Sequence, residues 1–218
     1  MILLMTKKLA CSFFLLILFF VTHFSHAGTN LPDAITKPVP ITELVAYQHY
    51  PKVVQQLISE AAILSKMNLT YLYGSADPKN KGMDCSGTIY YLLTAEKIND
   101  VPRSSDEMFN WVTKSGKLYR VTRNDFNSPE FSHLKPGDLL FWSGTYATPH
   151  NAYISHVMLY LGKNKLGERL MFGASDGRTY QGKKMWGVSV FDFKLPNGKG
   201  PQKFIGYSCI PNLTCNMI

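Results

Sequence analysis

The order of periodicities along this chain predicts an α+β domain built on an antiparallel sheet. Apolar residues recur at helical spacing in the first half. Short runs rich in β-branched and aromatic residues fill the second half, and clusters of Gly, Pro, Asn or Lys separate those runs. A length of 218 residues suits one such domain preceded by a targeting segment.

The chain opens as a secretory signal does. Lys7 and Lys8 supply the positive start, residues 9–21 are apolar but for Cys11 and Ser12, and Ser25-His26-Ala27 offers small residues where a signal peptidase reads. The apolar run is shorter than the roughly 20 residues a membrane span needs. Cleavage after residue 27 and export to the periplasm or the medium are therefore expected, with no stable membrane insertion afterwards; an uncleaved anchor is the alternative. Cys11 lies ahead of the run's end, where a lipid-attachment cysteine would not be.

Residues 28–49 contain Pro32, Pro38 and Pro40 and read as an extended arm. Residues 50–212 form the expected domain. Its first helix covers residues 51–67, because Val54, Leu57, Ile58, Ala61 and Leu64 fall on one face and Pro51 suits a first turn. A loop of Gly, Asp, Asn, Pro and Lys follows over residues 74–83. A second helix starts at Cys85 and runs to about Lys97, with Ile89, Leu92 and Leu93 inward, and a third is expected over residues 105–113. Strands are expected at residues 138–142, 156–161, 170–174, 188–193 and 204–210.

Charge and cysteine usage narrow the partners. The formal charge is +8, and losing Lys7 and Lys8 with the signal would leave about +6. A basic surface favours anionic partners. The chain lacks helix-turn-helix, zinc-finger or basic-run patterns, so nucleic acid is not an expected partner. Beyond the signal three cysteines remain, Cys85, Cys209 and Cys215. Export would let Cys209 and Cys215 pair, leaving Cys85 as an odd thiol that is either reactive or a small buried hydrophobe.

Cys85 has a setting that chemistry can use. It stands where a Gly-rich loop turns into a helix, so the helix's unpaired N–H groups and dipole would favour thiolate over thiol and could hold an oxyanion. Ser86 and Gly87 are small enough for a substrate backbone to approach. A base must come from elsewhere. Of His49, His133, His150 and His156, only His156 opens a strand directly after a polar loop, where a sheet presents side chains to a cleft.

Three blocks together resemble the NlpC/P60 family of papain-like cell-wall peptidases. They are Tyr71-Leu72-Tyr73-Gly74 with Met83-Asp84-Cys85-Ser86-Gly87, then the segment from Leu134 through Pro136-Gly137-Asp138 to Trp142, then Ser155-His156-Val157 through Gly162. Val101-Pro102-Arg103-Ser104-Ser105 resembles the short Pro-Arg segment those proteins carry between the first two blocks. The resemblance implies a helix bearing the catalytic Cys85 packed on an antiparallel sheet bearing the catalytic His156. It implies hydrolysis of an amide in the peptide stem of peptidoglycan through an acyl-enzyme that needs no metal or organic cofactor; a monomer is expected. Tyr73, Asp84 and Ser86 match positions that line the substrate cleft in that family.

One departure stands out. The family carries a third polar residue, often His, on the strand after the base, and Gly173 occupies that position here. A backbone carbonyl, a water, Asn151 or Asp176 could orient His156 instead, with Asp176 the favoured side chain unless it only makes the Asp-Gly turn. Arg178 could pair with a stem carboxylate. The departure keeps two other readings open: an amidase, acyltransferase or transpeptidase on the same scaffold, and a wall-binding protein with weak or no catalysis.

Overall fold

A computed structural model describes residues 32–115, 117–148 and 152–215. The expected signal at residues 1–27, the beginning of the arm, His150 and Asn151 lie outside the described residues. Among the described residues no helix is long and apolar enough to cross a membrane.

Helix α1 (Lys52–Ser65) buries Val54, Leu57, Ile58, Ala61 and Leu64, the face its periodicity marks, and Ala62 beside them. Pro51 sits one step earlier than expected, as the N-cap, where its carbonyl accepts Val54 N and Gln55 N. Two short strands, β1 (Thr70–Tyr71) and β2 (Gly82–Met83), pair in parallel and bracket the polar loop. Helix α2 (Cys85–Ala95) follows at once. Helix α3 (Ser105–Lys114) is started by a capping box, with Ser104 Oγ accepting Glu107 N while Glu107 accepts Ser104 N.

The second half is a six-stranded antiparallel sheet. Its members are β3 (Leu118–Arg120), β4 (Leu139–Ser143), β5 (His156–Lys163), β6 (Arg169–Ser175), β9 (Gly187–Asp192) and β10 (Lys203–Ser208), in the spatial order β3-β10-β4-β5-β6-β9. A small hairpin of β7 (Thr179–Tyr180) and β8 (Lys183–Lys184) stands off the end of β6. All five expected strands are present within two or three residues at their ends. The three-residue β3 and the hairpin carry too little apolar alternation to be read from sequence.

Helix α2 lies against β5 and β6. One continuous core contains Leu57, Ile58, Ile89, Leu92, Leu93, Val157, Leu159 and Phe172, all with 1% exposure or less. Each such side chain contributes about 1.5–3 kcal/mol by leaving water. This packing holds the start of α2 against the start of β5, and the site depends on it.

The arm is less extended than its prolines suggest, since 3-10 turns occupy Ile41–Glu43 and Tyr47–His49. Its first part covers the sheet edge. Ile35 bridges Trp186, Lys37 N donates to Ser189 Oγ at 2.8 Å, and Val190 N donates to Lys37 O at 3.2 Å. Val188 N is met by Leu69 O at 2.9 Å. An otherwise open edge of β9 is thereby satisfied. At the other end of the chain Cys209 and Cys215 form the expected disulfide.

Candidate active site

The site begins with Asp84. As N-cap of α2 it accepts Gly87 N on Oδ1 at 2.6 Å, and Oδ2 accepts Gly74 N at 2.8 Å. Arg103 grips the same carboxylate with both ends of its fork, Nη1 to Oδ1 at 3.1 Å and Nη2 to Oδ2 at 3.0 Å, and donates to Ser86 Oγ at 3.0 Å. Ser75 O accepts Asp84 N at 3.0 Å and rests against Gly87, so that a Cβ on Gly87 would collide with it. The smallness of Gly87 therefore serves the packing of the loop on the helix rather than the approach of a substrate. Together these bonds fix the rotation of α2's first turn and hence the direction of Cys85.

His156 starts β5, between β4 and β6, with Trp142 as its β4 partner and the two rings edge to face at 5.8 Å. Cys85 lies near the start of β5: the backbone N–H groups of Val157, the residue after His156, of Ser86 and of Cys85 itself all act to lower the thiol's pKa. Cys85 is 3% exposed and His156 6%.

Burial reverses the electrostatics expected of a helix N-terminus. It is the largest influence on the Cys85 thiol and, with the Asp84 carboxylate beside it, pushes the thiol up to about 11 against the pull of the three N–H groups. The helix dipole contributes only about 0.3–1 kcal/mol, which is too little to offset desolvation of a thiolate. His156 is held well below its usual value, first by burial and then by the Arg178 charge. The resting pair is thus a neutral thiol beside a neutral imidazole.

Arg178 is the residue that meets the imidazole. Its Nε donates to His156 Nε2 at 3.2 Å, and its guanidinium lies 4.3 Å from the Trp142 ring centroid. Burial lowers its pKa to about 10, so it remains charged at neutral pH. Asp176, the side chain favoured on sequence grounds, is exposed in the turn after β6 and lines the cleft without occupying that nitrogen. Gly173 offers no alternative, since Met158 Sδ fills the place where its Cβ would stand.

A cleft of about 1010 Å³ is bordered by Tyr71, Tyr73, Tyr146, His156, Asp176 and Arg178, with Cys85 buried behind its lining. Tyr73 is 62% exposed and packs edge-on to Tyr146 at 6.2 Å. It is open to a ligand, whereas Asp84 and Ser86 are buried and committed to each other and to Arg103. Lys184 and Lys194 also border the cleft, Lys194 paired with Asp192 at 3.1 Å. His49 and His133 are exposed and do not border the cleft, and His133 stacks on Tyr119 at 4.8 Å. Among the described residues no three His, Cys, Asp or Glu side chains gather as a metal site requires.

The sequence points to Cys85 and His156 as the catalytic pair, gives Arg103 no role, and offers Arg178 only as a partner for a stem carboxylate. Arg103 carried a signal in the Val-Pro-Arg-Ser-Ser segment. The contact of Arg178 with His156 and Trp142 carried none, because those partners come from two other strands.

Comparison with known proteins sets this geometry in context. The model of the NlpC/P60 family matches residues 68–187, which include Cys85, His156 and Arg178. Murein DD-endopeptidase MepH of Escherichia coli is 28% identical over 103 residues, 47% of this chain and 32% of that protein. Gamma-DL-glutamyl hydrolase of Bacillus subtilis is 27% identical over 133 residues, 58% of this chain and 27% of that protein. A solved structure from Staphylococcus aureus, described as similar to a lipoprotein of the NLP/P60 family, superposes with a TM-score of 0.41 at 22% identity, covering 65% of this chain and 42% of that one. The chain therefore spans about a third of the first relative's length and about a quarter of the second's.

Proposed function

Because the chain belongs to the NlpC/P60 family, we propose that it is an exported cysteine hydrolase that cuts an amide in the peptide stem of peptidoglycan. Cys85 is the nucleophile and His156 its base. The observation that carries this reading is the approach of the first residue of α2 to the first residues of β5, which brings the buried thiol within the influence of the Val157 N–H, while the neighbouring His156 borders an open cleft. Two relatives with hydrolase names support the reaction class, one a murein endopeptidase and the other a glutamyl hydrolase.

In this mechanism the thiol proton passes to the imidazole as sulfur attacks the amide carbon. The imidazolium then returns that proton to the leaving amine, and water repeats the sequence on the thioester. Backbone N–H groups at the start of α2 are placed to stabilise the tetrahedral oxyanion. A resting pair that is neutral requires the ion pair to be made within the substrate complex, where excluded water strengthens every charge interaction. Arg178 and Lys184 suit the carboxylates of a stem peptide.

The test is incubation of residues 28–218 with purified sacculi and with isolated muropeptides, beside a Cys85→Ala control, with products read by mass spectrometry. Fragments that gain one water and appear only with Cys85 intact are the expected result. Products joined to an acceptor instead of water would replace hydrolysis by transfer. Unchanged muropeptides in the presence of folded protein would overturn the reading.

A further inference from the structure

In the cleft, the group that touches the proposed base is a cation. Arg178 can only donate hydrogen bonds. The nitrogen it meets, His156 Nε2, must therefore be the one without a proton. A neutral imidazole in that contact carries its proton on Nδ1. The contact is braced, since the guanidinium lies on the Trp142 face while Trp142 also packs edge to face with His156. A side chain at position 173 of β6 cannot compete, because Met158 fills the space there.

Arg178 also lacks a counter-ion. Among the described residues it forms no ion pair, and its Nη1 and Nη2 carry no hydrogen bond. Asp176 is near enough to act on its charge but stays beyond ion-pair distance. Arg178 nevertheless borders the cleft, so its unused donors are reachable from solvent. A half-buried guanidinium with free donors facing an open cleft is a site for a planar oxyanion.

We propose that Arg178 is the positioning residue of His156, holding the resting ring as the Nδ1–H tautomer through Nε2, and that it gives up this nitrogen when a substrate carboxylate takes its guanidinium. This rests on the reading of His156 as the base. While Arg178 stays on Nε2 the ring has no free lone pair, and the Cys85 proton has nowhere to go. Once the carboxylate has drawn the guanidinium away and Nε2 has turned to the thiol, the Cys85 S–H bond breaks and an Nε2–H bond forms. Thiolate and imidazolium result, with no change in total charge. Arg178 remains within electrostatic reach of Cys85, where its charge favours the thiolate. Arg178 would thus both hold the resting ring and sense the substrate's charge.

Nitrogen NMR of protein labelled with 15N-histidine tests this without turnover. At neutral pH the expected His156 signals are an unprotonated Nε2 and a protonated Nδ1. Arg178→Met should mix the tautomers, and Arg178→Lys, which keeps a cationic donor, should restore the Nδ1–H form. With Cys85→Ala protein, a γ-D-glutamyl tripeptide with a free α-carboxylate should shift the Nε2 signal, and the same peptide amidated at that carboxylate should not. In turnover, at least a tenfold preference for the free acid should vanish in Arg178→Lys, whose single ammonium lacks the fork. An Nε2–H or doubly protonated His156 in the resting protein would overturn the proposal, as would equal responses to the two peptides. A protein with the expected tautomer that cleaves nothing keeps this place for Arg178 and loses the hydrolase reading. One that cleaves with Nε2 protonated at rest does the reverse.

Discussion

Met158 Sδ stands where a Cβ on Gly173 would be, so the side chain of β5 and the missing side chain of β6 are complements in one packed volume. Gly173 is therefore no simple loss of a polar group; Met158 has taken the space. Gly173→Ala should destabilise the protein by about 1–3 kcal/mol through overpacking. Met158→Ala should cost about 2–4 kcal/mol through the cavity it leaves. The double variant should be less destabilised than the sum of the two, by about 0.5–2 kcal/mol, in a denaturant double-mutant cycle. Additive losses would mean that the two residues do not share this space.

Cys85 should behave as a slow thiol at rest. Its pKa is pushed up to about 11, so at pH 7 almost none of it is thiolate. Alkylation by iodoacetamide should be slower than for a model thiol at pH 6–7 and should rise with pH toward about 11. Rapid labelling at pH 6 would show that the N–H groups outweigh burial.

The Asp84–Arg103 pair should divide unequally. Asp84→Ala removes a helix cap and the acceptor for Gly74 N, Gly87 N and Arg103 together. A loss of about 2–3 kcal/mol is expected, with the first turn of α2 loosened. Arg103 is 37% exposed, and Arg103→Ala leaves Asp84 its two backbone donors. A loss nearer 1 kcal/mol is expected there. Thermal unfolding of the two variants decides the order.

Asp138 should couple folding to pH. Burial raises its pKa from 3.8 to about 7, against the pull of the Lys135 backbone N–H. The folded protein keeps this proton to about pH 7, whereas the unfolded chain releases it near 3.8. Folding takes up a proton between those values, so this group's contribution is full below about pH 4 and declines as pH rises toward 7. Asp138→Asn should flatten that decline in Tm relative to the parent protein. An unchanged pH profile would place the Asp138 proton elsewhere.

The Cys209–Cys215 disulfide closes a loop six residues apart. Chain-entropy arguments give a loop of that size about 2 kcal/mol. Reduction, or Cys209→Ala with Cys215→Ala, should lower Tm to that extent and leave the cleft intact, since neither cysteine borders it.

Much of this protein was determined by short-range pattern. The 3.6-residue stripe from Val54 to Leu64 specified α1, the runs after Asp138 specified the sheet, and the loop-to-helix junction singled out Cys85. A strand beginning at His156 singled out the second partner. These features depend on neighbours a few positions apart, which a sequence displays. Tertiary structure decided the rest. Whether Cys85 is more or less acidic than a free thiol depends on burial by β5, which lies 70 residues away in the chain. That Arg178, and not Asp176, meets His156 depends on the turn after β6 folding back over Trp142 of β4. That Gly173 is compensated depends on Met158 across the sheet. Burial, cross-strand packing and charge are properties of position in space, and residues distant in sequence acquire them only when the sheet closes.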